Sequence, residues 1–299
     1  MESQSKTAGQ AVARWAYPAT MAFGVALHAM MVGSGFNLKF SSYLPAICGA
    51  AIVTYLERYF LYRREWQGKR DDVLNDSAYM LVVQIALPFT LISYLAFFLL
   101  EVFSSWQITM TSLWPHELPA WIQAVLMILA ADFLRYWLHR LSHEWPLLWR
   151  LHAVHHSPHK VYWVNVARFH PIEKALQFLF DSLPFIFLGV SEEVFALYLV
   201  LYSINGFFQH CDVEVRLGFL NYIVSGPELH RWHHSKFPKE SNRNYGNNLI
   251  VWDLLFGAWF LPSDREVGEL GLPNREYPMS FVHQLKTPFI KGIERAPDA

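Results

Sequence analysis

The chain reads as an all-α, polytopic membrane protein of four to six helical spans that carries a histidine-rich helical cap on the cytoplasmic side. Three observations predict this. More than half of its 299 residues are hydrophobic (53%) and only 16% are charged, too apolar for a typical soluble enzyme and too polar for a bare bundle of spans. Uncharged apolar runs of spanning length recur from Tyr17 onward. Eleven of the fourteen histidines fall between His139 and His234, just after or between such runs.

The runs can be taken in order. Residues 1–14 are polar and lack the layout of a cleaved signal peptide, so the first span is expected to remain as an anchor. Tyr17 to Phe36 and Phe40 to Leu56 are the first two spans. Ala78 to Leu100 is the longest, with Pro88 as an expected kink. A fourth helix starts near Leu118 and continues through Asp132 and Arg135 into His139. Two shorter runs, Ser182 to Ser191 and Val194 to Phe208, are split by Glu192 and Glu193. With the preceding residues they form a hairpin over about 175–208, either fully crossing or re-entrant. This divides the chain into N-terminal membrane helices (1–130), a histidine-bearing region (131–261) and a soluble tail (262–299).

Basic residues set the orientation. Arg58, Arg63, Arg64, Lys69 and Arg70 lie between the second and third spans, whereas Glu101 to Glu117 and Ala175 to Val215 contain no lysine or arginine. The N-terminus and the histidine clusters are therefore expected on the cytoplasmic side. A formal net charge of −1 gives no reason to expect nucleic acid as a partner. Cys48 and Cys211 form neither a C-x-x-C nor a disulfide framework.

The histidines form three clusters: H-R-L-S-H (His139, His143), H-A-V-H-H (His152, His155, His156) and H-R-W-H-H (His230, His233, His234). Spacings of three and four place the members of each cluster on one helix face. Three short helical pieces could thus offer eight nitrogens to a common centre. An octahedral ion has at most six positions and a reactive one keeps some open, so the count suits two ions. Structural zinc closes at four ligands and catalytic zinc uses three. The zinc-hydrolase pattern H-E-x-x-H is absent, because Glu144 follows His143 with no histidine three residues beyond. Imidazole ligands leave iron electrophilic. Two irons beside an apolar cavity suggest O2 activation and attack on an unactivated C–H bond, with water excluded.

The segment from Ala131 to Leu261 resembles the fatty acid hydroxylase/sterol desaturase superfamily of integral-membrane, non-haem diiron enzymes. The resemblance rests on D-F-L-R-Y-W-L-H-R-L-S-H-E, W-R-L-H-A-V-H-H-S, R-F-H-P-I-E, Q-H-C-D-V, H-R-W-H-H-S and N-Y-G-N-N-L-I-V-W-D-L-L-F-G. It implies two iron ions, O2 as co-substrate, two reducing equivalents per turnover, and a lipid or sterol-like substrate. It adds His210 as a ninth ligand. Some relatives place a further histidine where this chain has Gly206, so Asn205, a water or nothing could take that place. His170 matches a family motif and reads as a supporting residue.

Two acids could orient ligand rings: Asp132, seven residues before His139, and Glu144, next to His143. Asn165, Arg168 and Glu173 could join the loops around the second cluster, and Asp253 reads as a packing or capping residue. Hydroxylation is the expected reaction, with desaturation or oxidative demethylation of a sterol as alternatives. A metal transporter would spread ligands along its spans, whereas here they gather at one end apart from His28. A metal-stabilised scaffold without turnover is a third class. No glycine fingerprint, iron–sulfur cysteine set or haem motif is present, so a separate electron donor of ferredoxin, rubredoxin or cytochrome type is expected.

Overall fold

The fold follows from long helices that bury only part of their surface. In a computed structural model, residues 2–106 and 110–295 are described. The chain is helical, with three isolated β-bridges and no strand among the described residues. The main helices are α1 (Glu2–Gly33), α2 (Leu38–Tyr59), α3 (Arg70–Ser105), α4 (Ala120–Glu144), α5 (Pro146–His156), α6 (Pro171–Asp181), α7 (Leu183–Phe187), α8 (Glu192–Gln209) and α9 (Pro227–His233).

Gly9–Gly33, Arg70–Ser105 and Ala120–Glu144 are long and apolar enough to cross a membrane. The other runs read as spans, α2 and the α6–α8 hairpin, lie outside this group. Leu81, Ile85, Phe89, Phe97 and Phe98 on α3 are exposed, and only 11% of its most apolar window is buried. Such a surface suits lipid rather than water. These features make the chain a membrane protein.

α8 is the central post and packs against α1, α2 and α4. Ile204 on α8 is fully buried. A Cβ at Gly24 of α1 would lie 2.3 Å from Ile204 Cδ1, and one at Gly49 of α2 would lie 2.8 Å from its Cγ1. Absence of a side chain at both positions lets three helices close around one isoleucine. Val200, Ile204 and Phe208 form a core with Tyr17, Val53 and Leu56. Close van der Waals packing, which small residues permit, holds such helices together in a membrane.

α3 departs from regular helix where Pro88 was expected to kink it. Two π segments, Met80–Ala86 and Leu91–Ala96, flank the proline. Proline donates no hydrogen bond and crowds the preceding turn, and the wider turns absorb that defect. The hairpin's first arm is also broken, at Ser182 between α6 and α7. The stretch expected to be a tail lies against the histidine region. Gln284 accepts from the Tyr79 hydroxyl at 2.6 Å and donates to Ser157 Oγ at 2.8 Å.

Candidate metal centre

Four pieces of helix carry the nine histidines to one place. α4 brings His139 and His143 on successive turns. α5 begins at Pro146 and carries His152, His155 and His156. His210 is the C-cap of α8. α9 starts with Pro227 in its first turn, ends at His233 and has His234 as its C-cap. The rings form two adjoining groups, His139, His143, His152, His156 and His233 in one and His155, His210, His230 and His234 in the other. Within each group the candidate ligand atoms all lie within 4.8 Å of one another. The groups abut, with the ring centroids of His156 and His234 4.5 Å apart.

The protonation state follows from what each Nδ1 touches. His139, His155 and His233 direct Nδ1 at the carbonyls of Tyr245 (2.7 Å), Arg168 (3.2 Å) and Arg243 (2.8 Å). A carbonyl only accepts, so these Nδ1 atoms carry the proton and each neutral ring leaves Nε2 bare. His152 donates Nδ1–H to Glu173 Oε1 (2.7 Å), His210 to Asn165 Oδ1 (2.7 Å) and His143 to Asn242 Oδ1 (3.0 Å). Burial, reinforced by His152, holds His233 down at about 3. Burial first, then neighbouring rings, pushes His155, His156, His230 and His234 well below the ordinary imidazole value.

Bare nitrogens therefore face one another. His139 and His152 present Nε2 atoms at 3.0 Å, His156 approaches both His152 and His233 at 3.1 Å, and His230 approaches both His210 and His234 at 3.0 Å. The buried Nε2 of His143 has no partner. Where both rings hold their proton on Nδ1, as His139 and His152 do, the converging lone pairs repel unless a cation lies among them. Neutral imidazole in this number suits late first-row metals such as iron, copper or zinc. Both groups could hold a metal ion.

The structure corrects the expectations for supporting residues. Asp132 touches no histidine; it accepts from Asn248 N (2.8 Å), Asn248 Nδ2 (2.8 Å) and Leu249 N (2.5 Å). Seven residues of helix span about 10.5 Å, beyond the reach of a carboxylate, and the Tyr245 carbonyl already fills the place beside His139. Glu144 pairs with Arg140 at 2.8 Å on the exposed side of α4, because the residue after His143 is turned about 100° around the helix. His170 caps α6 by accepting from Ile172 N at 3.2 Å. Asn205 accepts from the Tyr17 hydroxyl (2.8 Å) and donates to the Asn247 carbonyl (3.1 Å), joining α1, α8 and a loop.

Arg168 and Asp253 are legible as supporting residues, whereas Asn242, the Arg243 carbonyl and Asp76 have little or no signal in the sequence. Asn242 and the Arg243 carbonyl lie in a loop with no diagnostic spacing. Arg168, whose carbonyl orients His155, is held by a buried ion pair with Asp76 of α3. A lone acid near the start of an apolar run was the available clue. Asp253 accepts from Tyr245 N (2.7 Å) and Gly246 N (2.8 Å), fixing the loop whose carbonyl orients His139.

His139, His152, His155, His210 and His230 line a largely apolar cavity of about 860 Å³ that extends along α2, α3 and α8. A smaller pocket of about 320 Å³ reaches His143 and His156 from elsewhere, past Trp149, Lys236 and Glu294.

Residues 124–258 match the fatty acid hydroxylase family. The chain is 35% identical over 246 residues to ornithine lipid hydroxylase OlsE of Rhizobium tropici, covering 80% of this chain and 72% of that protein. It is 33% identical to alkylglycerol monooxygenase of Xenopus tropicalis over 48% of this chain and 31% of that one. It is 30% identical to Delta(7)-sterol 5(6)-desaturase erg3B of Aspergillus fumigatus over 50% and 42%. No solved structure matches.

Proposed function

The chain belongs to the fatty acid hydroxylase family, and from that premise we propose a membrane-bound, non-haem diiron oxygenase that hydroxylates an unactivated C–H bond of a lipid. The observation that carries this reading is the convergence of nine imidazoles in two adjoining groups, five of them lining an apolar cavity. The names of OlsE and the alkylglycerol monooxygenase favour oxygen insertion into a lipid. The sterol desaturase relative supports desaturation as a second reading.

His139, His143, His152, His156 and His233 would hold one iron, and His155, His210, His230 and His234 the other. When bound, the pair would supply activation of O2 and removal of hydrogen from an alkyl carbon. The chain's own contribution is positional. The Nδ1 bonds fix six of the rings, those of His139, His143, His152, His155, His210 and His233, with Nε2 turned inward. Apolar walls exclude water and hold an alkyl chain against the histidine end, which lowers the entropy cost of reaching one C–H bond. Electrons come from a separate donor. The exposed Arg58, Arg64, Lys69 and Arg70 support a cytoplasmic location for the histidine side by the positive-inside rule.

The test is mass spectrometry of membrane lipids from cells supplied with 18O2, with the intact protein or with His155→Ala. The expected result is a lipid gaining one labelled oxygen only with the intact protein. An unlabelled species lacking two hydrogens would favour desaturation. The same lipid oxidised equally by both proteins would refute the assignment.

A further inference from the structure

One wall of the cavity is charged and polar where an alkyl chain alone would require none. Lys174 on α6 is 7% exposed, and among the described residues no carboxylate lies within ion-pair distance. Its hydrogen-bond partner is the Tyr202 hydroxyl at 3.3 Å, with the ammonium 5.6 Å from that ring's centroid. Arg135, on the same wall, differs because it pairs with Asp181 at 3.1 Å. Burying an ammonium without a counter-charge is costly. Four buried atoms on residues that line this cavity lack a hydrogen-bond partner: Tyr198 Oη and Asn247 Nδ2, which can donate, and the acceptors Gln177 Oε1 and Glu173 Oε2. Buried polar atoms are nearly always paired, so a cluster of unpaired ones in a cavity points to a ligand.

The position of the cluster sets the ligand's orientation. Glu173 holds His152 through its other oxygen, and Lys174 is the next residue, about 1.5 Å further along the helix. Its ammonium reaches Tyr202 on α8, about two helical turns before His210. The opposite wall, from α2 and the π segments of α3, is largely apolar.

We propose that Lys174 binds an anionic oxygen group, carboxylate or phosphate, of an amphiphilic lipid that enters head first. Tyr198 Oη and Asn247 Nδ2, which can donate, satisfy the rest of the head group, and the tail runs along α3 toward the membrane. Resting on the reading of the histidines as the oxidising centre, this places the attacked carbon on the head-group side of the lipid rather than far along the tail.

Binding tests this without turnover. The full-length, metal-loaded protein in nanodiscs is titrated with N-palmitoylglycine, its methyl ester and hexadecyl phosphate. The intact protein is expected to prefer at least one anionic amphiphile over the ester by about 10- to 100-fold. Lys174→Met removes that preference with ester affinity unchanged, and Lys174→Arg retains it. The anion that loses more in Lys174→Met identifies the group as carboxylate or phosphate. Should Lys174→Met lose its folding transition, Tyr198→Phe is expected to weaken anion binding about 2- to 10-fold. Equal affinity of the intact protein for anions and ester would overturn the proposal, as would an unchanged preference in a folded Lys174→Met, or in Tyr198→Phe if that variant stands in. An 18O label far down the tail overturns head-first entry alone. Anion-selective binding without any oxygen incorporation supports the binding site and counts against the oxygenase reading instead.

Discussion

The two histidine groups use the same side chain in the same neutral state, yet they differ in number and surroundings. The five-membered group contains the half-buried His139 and His143, and His143 and His156 meet the smaller pocket. The four-membered group is buried throughout, and His155, His210 and His230 face the main cavity. An octahedral ion held by five nitrogens keeps one position, and one held by four keeps two. The group with fewer donors is thus the one set most fully against the substrate space. The difference suggests a division between a more closed ion and a more open one.

The largest expected effect that would test this division is in His155→Ala. Removing one of four buried ligands should weaken that iron by more than about 100-fold and reduce product to background, checked by metal analysis and lipid mass spectrometry. Acidification of the apoprotein comes next. His233 is held at about 3 when folded, against about 6.5 unfolded, so the unfolded chain binds more protons between these values. Stability should be flat above about pH 6.5 and fall as pH drops toward 3, as measured by chemical denaturation.

Glu173→Ala removes the acceptor of the His152 Nδ1 proton and should weaken iron binding by about 10- to 100-fold in a chelator competition. His143→Ala, which leaves four nitrogens in its group, should cost about tenfold in the same assay. Complete loss of iron in His143→Ala with full retention in His155→Ala would reverse the comparison. Asp132→Asn is the smallest. It should destabilise the fold by about 1–3 kcal/mol through the Asn248–Leu249 loop, with iron content unchanged.

That last pair of residues shows where sequence reading succeeds and fails. Spacings of three and four predict shared helix faces, because the helix repeat is a local property; the division that separates His155 from His152 and His156, and His233 from His230 and His234, is tertiary. Asp132 shares the face of His139, but periodicity reports angle and not reach. His210 has no cluster of its own; only the Q-H-C-D pattern pointed to it. The basis of its placement is tertiary, since α8 ends beside α9 after packing around Ile204. The π segments of α3 could be anticipated only as a kink at Pro88. Lys174 carries no signal in the sequence because its lack of a counter-charge becomes apparent only when α6, α8 and the Asn247 loop come together.

Three of the ligand rings are aimed by main-chain carbonyls, those of Tyr245, Arg168 and Arg243. Every amino acid carries the same carbonyl, so replacing the side chain at those positions does not delete the acceptor. An alanine scan would record only whatever loop movement followed. The aim of these rings is stored in the path of the chain. The identity of the exposed residue 243 could drift over generations while the centre stayed aligned, whereas Arg168 is tied to Asp76 and Tyr245 is buried, and a single-residue insertion in either loop would misdirect the centre.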